Sequence, residues 1–192
     1  MIIMVICVFG ASSNDIDNIF LEQTELLSEK LAKRGHSLIF GGGKNGLMGA
    51  AVRGFVKGGA KTVGVAPEFF KPAGVIYENC DEFVWTENMR DRKKYMEDNA
   101  DAFIVTPGGI GTYEEFFEVL TLKHLGQHKK PIAIFNVGGF FDKLIAVIED
   151  NIEDGFVKEN IPEMYKLSAD IDEVIAYIEN DDFDMGEVKF YG

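Results

Sequence analysis

The chain has 192 residues, of which 46% are hydrophobic, and its formal net charge is −13. This length suits one α/β domain with a sizeable core, while the acidic balance disfavours a nucleic-acid-binding protein, which usually presents a basic face. No apolar run approaches the roughly 18–20 residues that a membrane-spanning helix needs, so no membrane partner is expected. Cys7 and Cys80 are too few for a disulfide framework and fit a reducing cytoplasm.

Strand-like and helix-like segments alternate from the first residues onward. Residues 2–9 predict a buried strand and not a signal peptide, because they lack a basic segment. An amphipathic helix is predicted from Asn14 to Arg34, where Gly35 ends it and His36 continues a turn. The next predicted elements are a strand at 37–40, a helix at 47–57, and strands at 61–66 and 83–85.

The second half continues the alternation. Its predicted elements are a polar helix at 88–99, a strand at 101–106, a helix at 113–125, a strand at 131–135, and helices at 142–153 and 170–179. Buried strands separated by helices predict a parallel sheet that is flanked by helices, in a Rossmann-like doubly wound α/β fold. We expect one domain over residues 1–180 and an acidic tail over 181–192.

The most informative segment joins strand 101–106 to the following helix. It reads Pro107-Gly108-Gly109-Ile110-Gly111-Thr112. Glycines between a strand and a helix expose backbone N–H groups at the positive end of the helix dipole, which favours phosphate. Gly108, Gly109 and Gly111 allow a ligand to approach the backbone closely, and Thr112 can add a hydroxyl group.

Glu115 has two interpretations from spacing alone. Thr112-Tyr113-Glu114-Glu115 matches a capping box, in which Thr112 caps the helix and Glu115 accepts a hydrogen bond from the Thr112 N–H. A carboxylate beside a phosphate site is also typical of an enzyme that acts on a phosphorylated small molecule. The sequence leaves both open.

An earlier glycine loop, residues 41–46, formally matches G-x-G-x-x-G. Gly42, Gly43 and Gly46 predict a nucleotide contact, but such a match alone is weak. It follows the second strand and not the first, and a convincing ribose-binding acid is missing from the next strand. A tight turn with close helix packing is the alternative.

The polar helix places four residues on one face: Met89, Arg92, Lys93 and Met96. Lys93 with Glu97, and Lys94 with Asp98, are spaced as exposed helix pairs. Arg92 has no acid three or four residues away, so it needs a partner from elsewhere in the fold or from a ligand. A plain surface arginine is the alternative.

His124 and His128 are spaced as a possible metal pair, but lysines surround them at a helix C-terminus. Cations there complement the helix dipole, and neither a carboxylate nor a cysteine nearby completes a ligand set. We therefore expect no metal site.

Three segments together resemble the "lonely guy" (LOG) family of nucleoside-monophosphate phosphoribohydrolases over residues 2–180. They are Gly41-Gly42-Gly43-x-x-Gly46-Leu47-Met48-Gly49, Met89-x-x-Arg92-Lys93 and Pro107-Gly108-Gly109-x-Gly111-Thr112-x-x-Glu115. The resemblance implies hydrolysis of the N-glycosidic bond of AMP or of a cytokinin riboside 5′-monophosphate, giving the free base and ribose 5-phosphate. Many family members carry a lysine decarboxylase label, but a pyridoxal-phosphate lysine motif is lacking here.

The resemblance assigns catalysis to Arg92 and Glu115. Substrate or phosphate binding is predicted for Gly42, Gly43, Gly46, Met89, Lys93, Gly108, Gly109, Gly111 and Thr112. It implies a homodimer and requires no metal or redox cofactor. One departure is Arg90, where many plant members have His, and it bears on base selectivity.

Two other functions are considered. A non-catalytic nucleotide-binding or molybdenum-cofactor carrier would keep the glycine loops but would not need both Arg92 and Glu115. A nicotinamide-dependent oxidoreductase would carry its glycine fingerprint after the first strand, where Gly10-Ala11-Ser12 stands instead.

Overall fold

A computed structural model describes residues 3–180, so the tail predicted over 181–192 lies outside the described residues. The strands are β1 (Val5–Phe9), β2 (Ser37–Phe40), β3 (Thr62–Pro67), β4 (Glu82–Thr86), β5 (Ala102–Val105), β6 (Ile132–Phe135) and β7 (Lys166–Ser168). They form one parallel sheet in the order β4-β3-β2-β1-β5-β6-β7. The predicted doubly wound α/β fold is confirmed.

Helices cover both faces of this sheet. They are α1 (Asn18–Lys33), α2 (Gly46–Lys57), α3 (Met89–Asn99), α4 (Ile110–His124), α5 (Asp142–Glu153) and α6 (Ile171–Ile178), with 3₁₀ turns at Glu68–Ala73, Val137–Gly139 and Ile161–Met164. One apolar core joins the sheet to α1, α2 and α6, and the other joins it to α3, α4 and α5. Central strands are apolar on both faces because both are covered.

The strand order reverses at β1, which lies between β2 and β5. Val8 pairs with Phe40 of β2 and with Ile104 of β5 near the carboxyl ends of all three strands. The loops that follow these strands therefore meet at one edge of the sheet. In open α/β sheets this reversal point is where ligands bind.

The helix boundaries differ from the sequence prediction in two informative places. Helix α1 begins at Asn18, because the side chain of Asp17 accepts a hydrogen bond from the Ile19 N–H at 3.2 Å and caps it. Helix α4 begins at Ile110 and not at Tyr113, so Gly111 and Thr112 belong to its first turn. The edge strand β7 was not predicted, because three residues carry too little pattern.

His36 belongs to the turn that ends α1, as the sequence indicated, because its N–H donates to the Leu31 carbonyl at 3.3 Å. Its ring is fully buried and links the residue before β1 to the residue after α6. Nδ1 accepts a hydrogen bond from the Met4 N–H at 3.2 Å, and Nε2 lies 2.7 Å from Oε1 of Glu179. This arrangement uses a neutral imidazole that donates through Nε2, because Nδ1 serves as an acceptor.

Candidate active site

A cavity of about 460 Å³ opens at the reversal point of the sheet. Its walls come from the loops after β1, β2 and β5, from the start of α3 and α4, and from the 3₁₀ segment after β3. The cavity is lined by seven of the residues that the sequence predicted for the site: Gly43, Met89, Arg92, Gly109, Gly111, Thr112 and Glu115. The motifs that are scattered along the chain thus converge on one space.

The first turn of α4 presents unused backbone donors to this cavity. Gly109 is the N-cap residue and supplies no side-chain cap, and the first helical bond runs from the Tyr113 N–H to the Gly109 carbonyl at 3.1 Å. Within residues 3–180, no acceptor is found for the N–H groups of Ile110, Gly111 and Thr112. Three donors at a helix N-terminus form a ready anion site.

The glycines of this loop have two different structural roles. A Cβ atom at Gly108 would lie 2.0 Å from Oγ1 of Thr112, so a side chain there would clash with the buried threonine. A Cβ atom at Gly109 or Gly111 would meet no atom within 4 Å. Those two glycines face open space, where a ligand could contact their backbone.

The other glycine loop, residues 41–46, uses its donors inside the protein. The Gly46 N–H donates to Oδ1 of Asn14 at 2.8 Å. The N–H groups of Leu47 and Met48 donate to the Ala11 carbonyl at 2.8 and 3.3 Å. The start of α2 is therefore closed by the β1 loop, and Gly42 and Gly46 do not line the cavity in the described structure.

Close packing explains the glycines of the first loop. Gly46 has a φ of +58°, and a Cβ atom there would lie 2.3 Å from the Ala11 carbonyl oxygen. A Cβ atom at Gly41 would lie 1.8 Å from Nη2 of Arg92. The tight-turn alternative thus accounts for Gly46, while Gly41 makes room for a functional side chain.

Arg92 is not a surface residue, because its side chain is only 8% exposed. Its Nη1 donates to Oε1 of Glu115 at 2.9 Å, and its Nε donates to the Val65 carbonyl of β3 at 3.2 Å. The partner that the sequence demanded for this arginine is therefore Glu115, 23 positions along the chain. The surface-arginine alternative is wrong.

The capping interpretation of Glu115 is also wrong. Because α4 begins at Ile110, Thr112 lies within its first turn and cannot act as its N-cap. The Glu115 side chain instead turns toward α3 and lines the cavity, with 11% of its surface exposed. Burial raises the pKa of this carboxyl above its usual range, and the charge and hydrogen bond of Arg92 act in the opposite direction.

Lys93 lies beside this pair but faces two other carboxylates. Its Nζ is 2.6 Å from Oε1 of Glu114 and 2.5 Å from Oε2 of Glu118. Lys93 makes these contacts with side chains of α4 in place of the expected exposed pair with Glu97. That Lys93 also contacts substrate stays a prediction; it is not among the described residues that line the cavity. The exposed pair of Lys94 with Asp98 is confirmed at 2.8 Å.

One wall of the cavity is apolar, and apart from Met89 its residues were not predicted for the site by the sequence analysis. Met48, Phe70, Val75, Ile76 and Met89 contribute to it. Residues 75–77 reach this position because the Lys44 N–H donates to the Val75 carbonyl and the Tyr77 N–H donates to the Gly42 carbonyl, both at 2.8 Å. Gly10, Ala11 and Ser12 after β1 also line the cavity; the only available signal was their place after the first strand.

The histidine pair does not form a metal site in the described part of the chain. Nε2 of His128 hydrogen-bonds the Val119 carbonyl at 2.9 Å, and burial lowers the pKa of His128 to about 4. Residues 3–180 contain no group of three or more His, Cys, Asp or Glu side chains that could hold a metal ion. Over the same residues, no helix has the length and apolarity to cross a membrane.

Comparison with known proteins places this chain in a family. A family model described as "Possible lysine decarboxylase" matches residues 48–178. A cytokinin riboside 5′-monophosphate phosphoribohydrolase of Arabidopsis thaliana is 34% identical over 93% of this chain and 86% of its own length. One from Oryza sativa subsp. japonica is 38% identical over 81% of this chain and 64% of its own length.

The chain belongs to the LOG family. Solved structures with the same fold include the molybdenum cofactor carrier protein of Chlamydomonas reinhardtii, with a TM-score of 0.69 at 21% identity over 91% of this chain and 95% of that one. The molybdenum cofactor binding protein of Rippkaea orientalis has a TM-score of 0.69 at 20% identity, over 92% and 95%. At these identities, the two structures support the LOG fold of this chain and not a shared function.

Proposed function

We propose that this LOG protein hydrolyses the N-glycosidic bond of AMP or of an N6-substituted AMP. The observation that carries the proposal is the presence, in one cavity, of the open N-terminus of α4 and of the buried pair formed by Arg92 and Glu115. The helix terminus suits a 5′-phosphate, and the carboxylate suits the cationic ribose of the transition state. Relatives with this activity in their names support the assignment.

The reaction breaks the bond between the anomeric carbon and the purine nitrogen, and the bonding electrons leave with the purine. A water molecule supplies the new bond to the anomeric carbon, giving ribose 5-phosphate. Ionised Glu115 would orient this water and accept its proton, and it would stabilise the oxocarbenium-like transition state. The departing purine takes up a proton from solvent, and Glu115 releases to solvent the proton that it accepted from water, so the proton count balances.

The sequence alone does not determine what Arg92 does in the reaction. Its hydrogen bond to Glu115 favours the ionised carboxylate, which opposes the effect of burial. A planar guanidinium group also holds that carboxylate in a defined direction, anchored from behind by the Val65 carbonyl. We propose that Arg92 keeps Glu115 ionised and oriented.

The phosphate would act as a remote anchor. The N–H groups of Ile110, Gly111 and Thr112, together with Oγ1 of Thr112, would bind it, with Gly108 and Gly109 shaping the approach. Gly42, Gly43, Gly46 and Met89 are proposed to support the nucleoside side of the site, Gly42 and Gly46 by fixing the loop from behind. Binding energy from the phosphate then positions the anomeric carbon near Glu115.

The test is release of free base by the purified protein without added metal or nicotinamide. We expect adenine from AMP, or the modified base from isopentenyladenosine monophosphate, and at least tenfold slower release from unphosphorylated adenosine, because the anchor would be empty. Including GMP, CMP and dAMP defines base and sugar selectivity. Equal turnover of adenosine and AMP would refute the phosphate anchor. Nucleotide binding without any base release would favour a carrier of nucleotide or molybdenum cofactor.

We also propose a homodimer in the cytoplasm. Ile110 and Phe117 lie seven residues apart on α4 and are 89% and 40% exposed, so they form an apolar strip that a second copy could cover. The two cysteines are free thiols, which suits a reducing compartment. Light scattering tests the dimer and cell fractionation tests the location; a monomer at micromolar concentration, or an exported protein, would contradict them.

A further inference from the structure

Two adjacent residues of α3 bind three carboxylates of α4. Nη1 of Arg92 donates a hydrogen bond to Glu115 at 2.9 Å, and Nζ of Lys93 donates one to Glu114 at 2.6 Å. Nζ of Lys93 also lies 2.5 Å from Oε2 of Glu118, which makes an ion pair. The two bridges lie side by side between the same helices. The second one places a cation between the two carboxylates that neighbour Glu115 on its own helix.

The environment of Lys93 differs from that of an exposed helix lysine. Its side chain is 11% exposed, whereas the side chain of the next residue, Lys94, is 74% exposed. An ammonium group is seldom withdrawn from water unless carboxylates satisfy it. Glu114 and Glu118 do so here: burial lowers the pKa of Lys93, but the hydrogen bonds and charges of these two carboxylates together outweigh burial, so the pKa is raised above its usual value.

Without Lys93, the carboxylates around Glu115 would have little compensation. Glu114 precedes it directly, Glu118 lies one turn further on the same helix, and Glu97 faces Glu118 from α3. Arg92 alone would then have to balance this side of the helix. Like charges close together disfavour ionisation, and they also push the side chains apart.

We propose that Lys93 is a positioning residue for Glu115: by holding Glu114 and Glu118 against α3, it fixes the turn of α4 that carries Glu115 and balances the charge on both sides of it. The inference rests on the proposed function, because Glu115 is the reacting carboxylate there. It gives Lys93 a task that requires no contact with substrate.

The surrounding charged groups give this inference a measurable sign. Burial raises the pKa of Glu115, Arg92 lowers it, Glu114 raises it and Lys93 lowers it. The thiol of Cys7, beneath the pair on β1, is kept neutral by a pKa raised through burial and through the charge of Glu115. Removing the charge of Lys93 should therefore raise the pKa of Glu115 further. When the pH is lowered, the variant should then lose activity at a higher pH than the parent does.

The experiment compares Lys93→Met, Lys93→Arg and the exposed control Lys94→Met. For each we measure the pH profile of kcat/KM for AMP, and we titrate the Glu115 carboxyl by ¹³C NMR, assigned with Glu115→Gln. We expect Lys93→Met to move the acidic limb upward by about half a pH unit or more, with KM within about threefold. In Lys93→Arg and Lys94→Met, the acidic limb of the pH profile should lie at the same pH as in the parent.

The second arm of the experiment removes the negative charge next to Glu115. Glu114→Gln should move the limb to lower pH, and adding it to Lys93→Met should move the limb back toward the parent. If Lys93→Met alone does not fold, the double variant is compared with Glu114→Gln, because these two proteins differ only at residue 93; the double variant should then have its limb at the higher pH. A purely structural role would lower turnover at every pH without moving the limb, and would overturn the inference.

Two further outcomes separate this inference from the proposed function. A KM that rises tenfold or more in Lys93→Met, with an unchanged limb, would make Lys93 a substrate contact and overturn the positioning role. If the parent protein releases no base, the proposed function is refuted. The NMR titration still measures whether the pKa of Glu115 depends on the charge of Lys93. An unmoved Glu115 titration in Lys93→Met overturns the inference.

Discussion

The two glycine loops look alike in sequence but differ in what their backbone donors do. In the loop over 41–46, the donors at the start of α2 bond to Asn14 and Ala11. In the loop over 107–112, the donors at the start of α4 face a cavity. A glycine motif therefore predicts a ligand site only when the protein leaves its donors unused.

The difference lies in which backbone atom of Ala11 each loop meets. Loops after β1 and β2 are neighbours, and the β1 loop supplies the Ala11 carbonyl that closes α2. The Ala11 N–H bonds back to the Pro107 carbonyl at 3.0 Å and so fixes the second loop as well. The donors of the first loop are used in hydrogen bonds within the protein, whereas those of the second loop remain available to a ligand.

The largest expected effect concerns the carboxylate that the second loop introduces. Glu115→Gln keeps a hydrogen-bond acceptor for Arg92 but cannot take a proton, so turnover of AMP should fall by roughly 10²–10⁴-fold, the usual contribution of a positioned acid–base group. Steady-state kinetics measures the loss, and circular dichroism shows that the variant remains folded. Glu153→Gln, exposed on α5, is the control and should behave as the parent. Normal turnover by Glu115→Gln would exclude the mechanism.

The next effect tests the open donors directly. Gly111→Ala places a methyl group in empty space beside the donors, so KM for AMP should rise about tenfold or more. Its melting temperature should hold or increase, because alanine suits a helix better than glycine by about 1 kcal/mol. An unchanged KM would show that phosphate does not lie against this turn.

The opposite result is expected in the first loop. Gly46→Ala meets both a φ of +58° and a contact of 2.3 Å with the Ala11 oxygen, so it should destabilise the fold by about 2–4 kcal/mol. Gly59→Ala is the matched control, since its φ is +79° but nothing lies within 4 Å. Thermal melting compares them, and equal losses would mean that the clash at Ala11 is not the reason for Gly46.

The smallest effect concerns the side chain that closes α2. Asn14→Ala removes the acceptor for the Gly46 N–H and should cost about 0.5–1.5 kcal/mol, with kcat/KM for AMP near that of the parent. Denaturant unfolding measures the cost, with Asp15→Ala as the exposed neighbour. A large loss of activity would instead place the first loop in direct contact with substrate.

Sequence patterns determined much of this fold. Apolar strands between amphipathic helices predicted the parallel sheet, and composition predicted one domain-sized core. What patterns could not place were helix starts and short edge elements. The sequence predicted that α4 begins at Tyr113, because glycine has a poor intrinsic helix propensity. The helix in fact begins three residues earlier, since tertiary packing overrides that propensity.

The candidate site shows the same division. The chemistry-bearing residues Arg92, Glu115 and Thr112 were identified from motifs and from the lack of a local partner for Arg92. Their pairing was not, because the bond from Arg92 to Glu115 joins two helices across a sheet crossover. The apolar wall from Phe70 to Ile76 was missed for a similar reason: it has no motif and is held by backbone bonds to the first glycine loop.

The sequence by itself determined the fold class, the family and the residue types available for chemistry, because these follow from periodicity and from local motifs. Only the tertiary structure decided which glycine loop has free donors, whether Glu115 caps a helix or faces a cavity, and which carboxylates Lys93 holds. Each of those outcomes depends on which groups become neighbours when β1 lies between β2 and β5. Spacing along the chain carries no record of that arrangement.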